Sequence, residues 1–333
     1  MTDKTSESLS RFLYKIIDYA GLFPPAELPL EQAVENYAEH RKSELKWMLS
    51  RFIIPAGLIP DLITYKDSFI TVEEPFSLSV LGKKTDTIEE FQNEIDRVLE
   101  QVQLANRELK GYVTTDSFEI KLPVEAVESY DRDLLLELLN ETATRFEQTE
   151  HAPSFLFYES VQDYSADKEL EFTMEALSAH NEILRVENYH QTEAAGYKLR
   201  CGGTSEAAFP PVELVLSALL TARDKLVPMK FTAGLHHPVR HFNESVNTKM
   251  HGFLNVFAAG LFSYAFDLNR EEMMDILLEE DPESFQFTDT GLTFNGIHIE
   301  TEEIGELRSN AFLSYGSCSF AEPVDDLKKL NLI

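Results

Sequence analysis

Two short stretches put a lysine on a strand that runs into glycine: Lys198-Leu-Arg-Cys-Gly-Gly203 and Lys230-Phe-Thr-Ala-Gly-Leu-His-His237. Side chains alternate along a strand, so Lys198 and Arg200 share one face, as do Lys230 and Thr232. Cations brought together at strand ends are costly to bury unless something anionic meets them, which points to an anionic or carbonyl substrate. A lysine amine also attacks carbonyls to form a Schiff base, and a neighbouring cation that disfavours its protonation frees it to do so. Of Lys198 and Lys230, either could on this ground be the nucleophile and the other the group that lowers its pKa. Glu159 closes the run Ser154-Phe-Leu-Phe-Tyr-Glu159 and shares parity with Phe155 and Phe157, so it is expected on the same interior face as the proton-transfer partner. Asp18, before Tyr-Ala-Gly-Leu-Phe-Pro-Pro25, reads as a catalytic acid at a first strand end or as the cap of a turn. The competing structural reading pairs Lys198 and Lys230 with Glu159 and Asp18 in an ion network without chemistry.

Four of the nine histidines, His236, His237, His241 and His251, fall in one stretch after the second lysine. Imidazole is a base near neutral pH and a common metal ligand, so His236 is expected in catalysis and His237 against substrate. The alternative is a divalent metal ion held by these four with Glu159 in a hydrolase or isomerase. The leading reading needs no cofactor. His237 and His241 would share a helix face, but Pro238 disfavours the α conformation at His237. Gly202 with Gly203, and Gly316-Ser-Cys-Ser319, offer backbone N–H groups to a phosphate, although glycines after strands are also ordinary turn residues. Cys201 and Cys318, the only cysteines, read as reduced packing residues.

Short apolar runs alternating with amphipathic stretches must position these groups. Candidate strands are Ile16–Tyr19, Phe52–Pro55, Phe76–Leu81, Phe118–Leu122, Ser154–Glu159, Tyr197–Cys201, Met229–Ala233 and Phe312–Tyr315. Helices are expected at Leu30–Met48, Ile88–Leu109, Asp131–Phe146, Leu170–Leu184, Pro211–Arg223 and Leu254–Phe266. This rhythm predicts an α/β fold, a (β/α)8 TIM-type barrel in one domain spanning residues 1–333, with the site at the carboxyl ends of its strands. The first strand is the weakest signal, since Leu9 to Ile17 also reads as a helix, which would leave the barrel open. An inserted β-hairpin near 285–299 is expected from alternation around turn residues.

Three segments resemble an uncharacterised bacterial protein family: Asp18-Tyr-Ala-Gly-Leu-Phe-Pro-Pro25; the Lys198–Gly203 and Lys230–His241 blocks with His251-Gly-Phe-Leu-Asn255; and Tyr315-Gly-Ser-Cys-Ser-Phe-Ala-Glu-Pro323. The blocks span nearly the whole chain, and Arg240, Asn255 and Ser317 within them join Arg200, Gly202, Gly203 and His237 as expected substrate contacts. The sixth and seventh strands are also similar to those of deoxyribose-phosphate aldolase, a class I aldolase on the barrel fold. That resemblance implies Lys198 as the Schiff-base lysine and Lys230 as its neighbour. Arg200 stands where that family has a hydroxyl residue.

Fifty-eight acidic residues against 29 basic give a formal charge of −29 and a pI near 4.6, which opposes nucleic acid and anionic membrane as partners. Such acidity fits either an ordinary soluble protein or adaptation to high salt. The start, MTDKTSESLSRF, lacks a signal-peptide pattern and no apolar run reaches membrane-spanning length, so the expected location is cytoplasmic. The expected function is lyase or isomerase chemistry on a small phosphorylated or carboxylated carbonyl compound. A non-catalytic barrel that binds a small anionic molecule stays open, as does a homo-oligomer.

Overall fold

Runs such as Phe52-Ile-Ile-Pro55 and Phe155-Leu-Phe-Tyr-Glu159 are rich in β-forming residues and too short for a helix, and each becomes a buried strand in the computed structural model. The structure describes residues 5–69, 74–160, 167–187 and 189–333. The barrel strands are β1 (Ile17–Tyr19), β2 (Leu49–Pro55), β3 (Phe76–Leu81), β4 (Val113–Lys121), β5 (Phe155–Glu159), β6 (Ala194–Arg200), β7 (Met229–Thr232) and β8 (Phe312–Ser317). Every neighbouring pair is parallel and β1 meets both β2 and β8, so the eight strands close into the expected TIM-type barrel. Closure is irregular, with register shifts along the β1–β2, β3–β4 and β7–β8 pairs.

The ambiguity at the amino end resolves into both alternatives in series. A helix at Glu7–Leu13 is capped by Ser6, and the chain then turns into the three-residue β1. The expected Leu30–Met48 helix instead ends at His40, followed by a separate turn of 3-10 helix at Lys46–Met48. Ser43 Oγ donates to the His40 carbonyl at 2.8 Å, which offers the backbone an alternative to continuing the helix. The β2–β3 crossover is built from helical pieces of three or four residues between Ala56 and Phe69, too short to show a periodic pattern in the sequence. By contrast, Ile88–Glu108 has a capping box of Thr87 with Glu90 and buries Phe91, Ile95, Val98, Val102 and Ala105 on one face.

The expected hairpin is present as Gly291–Phe294 paired with Ile297–Glu300, extended by Gln286–Phe287 into a three-stranded antiparallel sheet. It packs on the amino-terminal helix, with the Phe287 ring edge-on to Phe12 at 5.3 Å. A second hairpin, His241–Asn243 with Thr248–Met250, follows β7. None of the helices among the described residues is long and apolar enough to cross a membrane.

Alternation divides the strand residues into two unlike sets. Phe52, Ile54, Leu78, Val80, Phe118, Ile120, Leu156, Leu199 and Phe231 face outward under the helices and are buried there. The inward set is largely polar: alongside Ile53, Leu81, Phe155 and Phe157, the residues Asp18, Arg51, Ser79, Ser117, Glu119, Lys198, Lys230 and Ser314 stand where barrels usually place branched aliphatic residues. Burying so many charges is expensive unless each is paired, and the pairing defines the site.

Candidate active site

Lys198 and Lys230 are register partners on β6 and β7. Lys230 has no exposed surface, and its ammonium meets Asp18 Oδ2 at 2.6 Å, Glu119 Oε1, and Ser79 Oγ at 3.4 Å. An ammonium has three protons, so all its donors are used. Asp18 is held in turn by the Arg51 backbone N–H at 2.9 Å and the Ser314 hydroxyl at 2.5 Å, with the Arg51 guanidinium at 3.7 Å. Glu119 accepts from Ser79 Oγ, which accepts from Ser117 Oγ at 2.6 Å.

Lys198 meets Glu119 Oε2 at 3.0 Å and Glu159 Oε2 at 3.6 Å, which leaves one donor direction for the space above. That space is a cavity of about 260 Å³ at the carboxyl ends of the strands. Lys198, Arg200, Thr232 and His236 line it with Glu119, and the Phe23-Pro-Pro25 loop after β1 forms one wall. The Arg200 side chain keeps 43% of its surface exposed, with Nε 4.0 Å from Glu159 and a guanidinium N–H donating to the Gly202 carbonyl at 3.3 Å. Lys121 approaches Glu159 at the same 4.0 Å.

Burial by itself would push the carboxyl pKa values of Asp18 and Glu119 up. Lys230 with Arg51 outweighs it at Asp18, and Lys230 with Lys198 outweighs it at Glu119, so both stay below the usual carboxylate range. Burial would lower the Lys198 amine, but Glu119 and Glu159 raise it above an ordinary lysine. This corrects the expectation that Lys230 frees the Lys198 amine by repulsion. The Glu119 carboxylate lies between the two ammonium groups, and attraction to it exceeds the repulsion across it.

The histidines separate. His236 lines the cavity, with Nδ1 3.4 Å from Ser317 Oγ and 3.5 Å from Glu322. Burial lowers its pKa, His237 adds to that and Glu322 opposes it, so the neutral ring dominates at pH 7. His237 pairs with Asp326 and stands edge-on to His241 at 4.1 Å, outside the cavity lining. His251 is buried with Nε2 2.9 Å from the Pro210 carbonyl. Among the described residues no three His, Cys, Asp or Glu side chains gather in a metal-binding arrangement.

Asn255, expected against substrate, is fully buried. It accepts from the Arg240 N–H and donates to the carbonyls of Ile276 and Glu279, each at 2.8 Å, so it ties loop to helix. The Arg240 guanidinium lies 4.0 Å from Glu280 and outside the cavity lining. Gly203 and Gly316 border the cavity, whereas a Cβ on Gly202 would meet the Phe209 ring at 2.5 Å and Gly234 Cα at 2.7 Å. Gly202 is therefore a close-approach position beneath the β7 loop. Ser317 backs His236, Cys201 is buried in the packing and Cys318 lies at the cavity edge.

Sequence reasoning missed Glu119, the carboxylate that joins both lysines, together with Ser79 and Arg51. The signal for Glu119 was present: in Phe118-Glu-Ile-Lys-Leu122, the parity that sends Phe118 and Ile120 outward sends Glu119 and Lys121 inward. The fold and site together define a closed (β/α)8 barrel with an ionic interior opening on a small cationic cavity. Neither known protein families nor curated proteins give a match to the chain.

Proposed function

We propose that this barrel is an enzyme acting on a small phosphorylated or carboxylated carbonyl compound, with Lys198 as the amine that forms the covalent adduct. The observation that carries the reading is the difference between the two interior lysines. Lys230 is saturated and sealed, whereas Lys198 borders the cavity with a carboxylate on each side and Arg200 beside it. A cavity of about 260 Å³ suits a metabolite smaller than drug-sized ligands.

In this reading Arg200 and the backbone at Gly203 and Gly316 hold the substrate anion, which places its carbonyl over Lys198 Nζ. Glu159 takes a proton from the ammonium, and the freed nitrogen adds to the carbonyl carbon to give a carbinolamine. Glu159 returns the proton to the departing hydroxyl, water leaves, and the resulting iminium draws electrons from the adjacent carbon. That electron sink serves carbon–carbon cleavage or proton removal, hence a lyase or an isomerase. His236, neutral at the mouth, takes the proton released from the adjacent carbon in the isomerase case, or from the hydroxyl beyond it as the carbon–carbon bond breaks in the lyase case. Lys230 positions Glu119 as a carboxylate and does not touch substrate.

The test is borohydride trapping with a panel of small anionic aldehydes and ketones, read by peptide mass spectrometry. A reduced adduct on Lys198, lost in Lys198→Ala and kept in Lys230→Ala, supports the assignment. No adduct across the panel argues for the second reading, a barrel that binds an anion without turnover. The firm pairing of Lys198 with two carboxylates favours that alternative.

A further inference from the structure

The opposite mouth of the barrel, at the amino ends of the strands, has a second pocket of about 470 Å³. Its floor is set by the first residues of β2, β3 and β4, including Arg51, Ser77 and Asp116, so it lies on the far side of the ionic interior from Lys198. Four cations line it, Lys15, Arg41, Lys46 and Arg51, against the two acids Glu74 and Asp116. Over the whole chain acids outnumber cations 58 to 29, and here the ratio is inverted.

The cations are unevenly satisfied. Arg41 donates to the carbonyls of Glu74 and Pro75 and packs on the rings of Tyr37 and Phe76, a structural duty. Asp116 is engaged by Ser77 Oγ. Lys15 and Lys46 make no ion pair among the described residues, yet the backbone holds them together, because the Lys15 N–H donates to the Trp47 carbonyl at 2.8 Å. Deeper in, Arg51 keeps only 13% of its side chain exposed, and its buried Nε has no hydrogen-bond partner. Two lysines without an ion pair beside a largely buried arginine leave positive charge at this mouth that an anionic ligand offsets.

We infer that the amino-terminal mouth is a binding site for a small multivalent anion bearing phosphate or carboxylate groups, held by Lys15 and Lys46 over the part of Arg51 that lines the pocket. The site is independent of the chemistry proposed for the carboxyl-terminal cavity. It lies at one end of a continuous chain of ion pairs, Arg51 to Asp18 to Lys230 to Glu119 to Lys198, which joins the two mouths.

Calorimetric titration with inorganic pyrophosphate at low ionic strength tests it. The measurement is made in the Arg200→Met background, so that the other cavity loses its exposed cation, and the effect of the two lysine changes is read against that background. Binding is expected there, weakening as salt is added, and falling by about tenfold or more when Lys15→Gln and Lys46→Gln are added. Both lysines are exposed, so the melting temperature of the unliganded protein should not change. Citrate run in parallel distinguishes a phosphate preference from a general carboxylate one. Equal binding with and without the two lysine changes overturns the site, as does no binding of either anion at millimolar concentration.

Discussion

Lys198 and Lys230 never meet, although they stand side by side on adjacent strands: each ammonium takes a different oxygen of the Glu119 carboxylate. One carboxylate thus neutralises much of two buried cations, and its removal affects both at once. Glu119→Gln is expected to cost about 3 to 5 kcal/mol, the range for stranding buried charge. Lys230→Met should cost a similar amount, by leaving Asp18 and Glu119 facing each other. The double variant should be less destabilised than the sum of the singles, with a coupling of about 1 to 3 kcal/mol in urea unfolding. Strict additivity would mean that the contact contributes little.

Stability should fall in two steps as pH is lowered. His180 and His251 are buried, and burial lowers each to about 4 from the ordinary 6.5. The unfolded chain takes up those protons first, so stabilisation present above pH 6.5 is lost between about 6.5 and 4, up to about 3 kcal/mol for each ring. Asp18 and Glu119 act lower down. Their folded pKa values are depressed, so their contribution is complete above the unfolded carboxylate range near 4 and disappears as pH falls below it. Denaturant midpoints from pH 8 to 3 should show both steps, and His251→Gln should flatten the first. A midpoint independent of pH between 7 and 4.5 would contradict the burial of these rings.

The strands and their parity were legible because a parallel barrel repeats one signal, a short apolar run with alternating faces. Lys198, Arg200, Lys230, Glu159 and Asp18 all reach the interior face that alternation assigns them. Glu119 carries the same signal but lacks the glycine that marks the lysine strands, so nothing local singles it out. The scatter of the histidines had no local signature at all. His251 is captured by the carbonyl of Pro210, and His237 by Asp326, partners 41 and 89 residues away that only the folded chain brings near. The early end of the helix at His40 is made by tight backbone turns from Lys42 to Glu39 and Ser43 to His40 with the Ser43 hydroxyl on the same carbonyl, features too local to disturb the periodic pattern.

Lys198 reactivity should separate electrostatics from catalysis. Its amine is held protonated by Glu119 and Glu159, so Glu159→Gln lowers its pKa and exposes more free amine. Acylation of Lys198 by a small reagent at pH 8, followed by mass spectrometry, should therefore be faster in Glu159→Gln than in the wild type. Formation of the borohydride-trapped adduct should be slower, because that step needs the carboxylate to shuttle a proton. If both rates move together, Glu159 has no role beyond setting the charge of Lys198.

Arg308 should prove essential to barrel closure. It lies on the helix Thr301–Asn310 and is 5% exposed, with its guanidinium donating to the carbonyls of Phe12 at 2.8 Å, Tyr14 at 3.2 Å and Leu313 at 2.7 Å, over the Phe257 ring. No carboxylate pairs with it among the described residues, and burial lowers its pKa to about 9. The first two carbonyls belong to the end of the amino-terminal helix and the residue after it, and the third to β8. One planar fork thus ties the segment that leads into the short β1 to β8. Arg308→Met keeps the packing but orphans two buried acceptors, the carbonyls of Phe12 and Leu313, at about 1 to 3 kcal/mol each before relaxation, and a part-buried one at Tyr14. Arg308→Lys should rescue little, since a point ammonium cannot span the fork. Hydrogen exchange should then rise first in residues 14 to 19, ahead of global unfolding, because β1 contributes only three paired residues. Unchanged protection there, with an unchanged melting temperature, would show that β1 is held by its ladder alone.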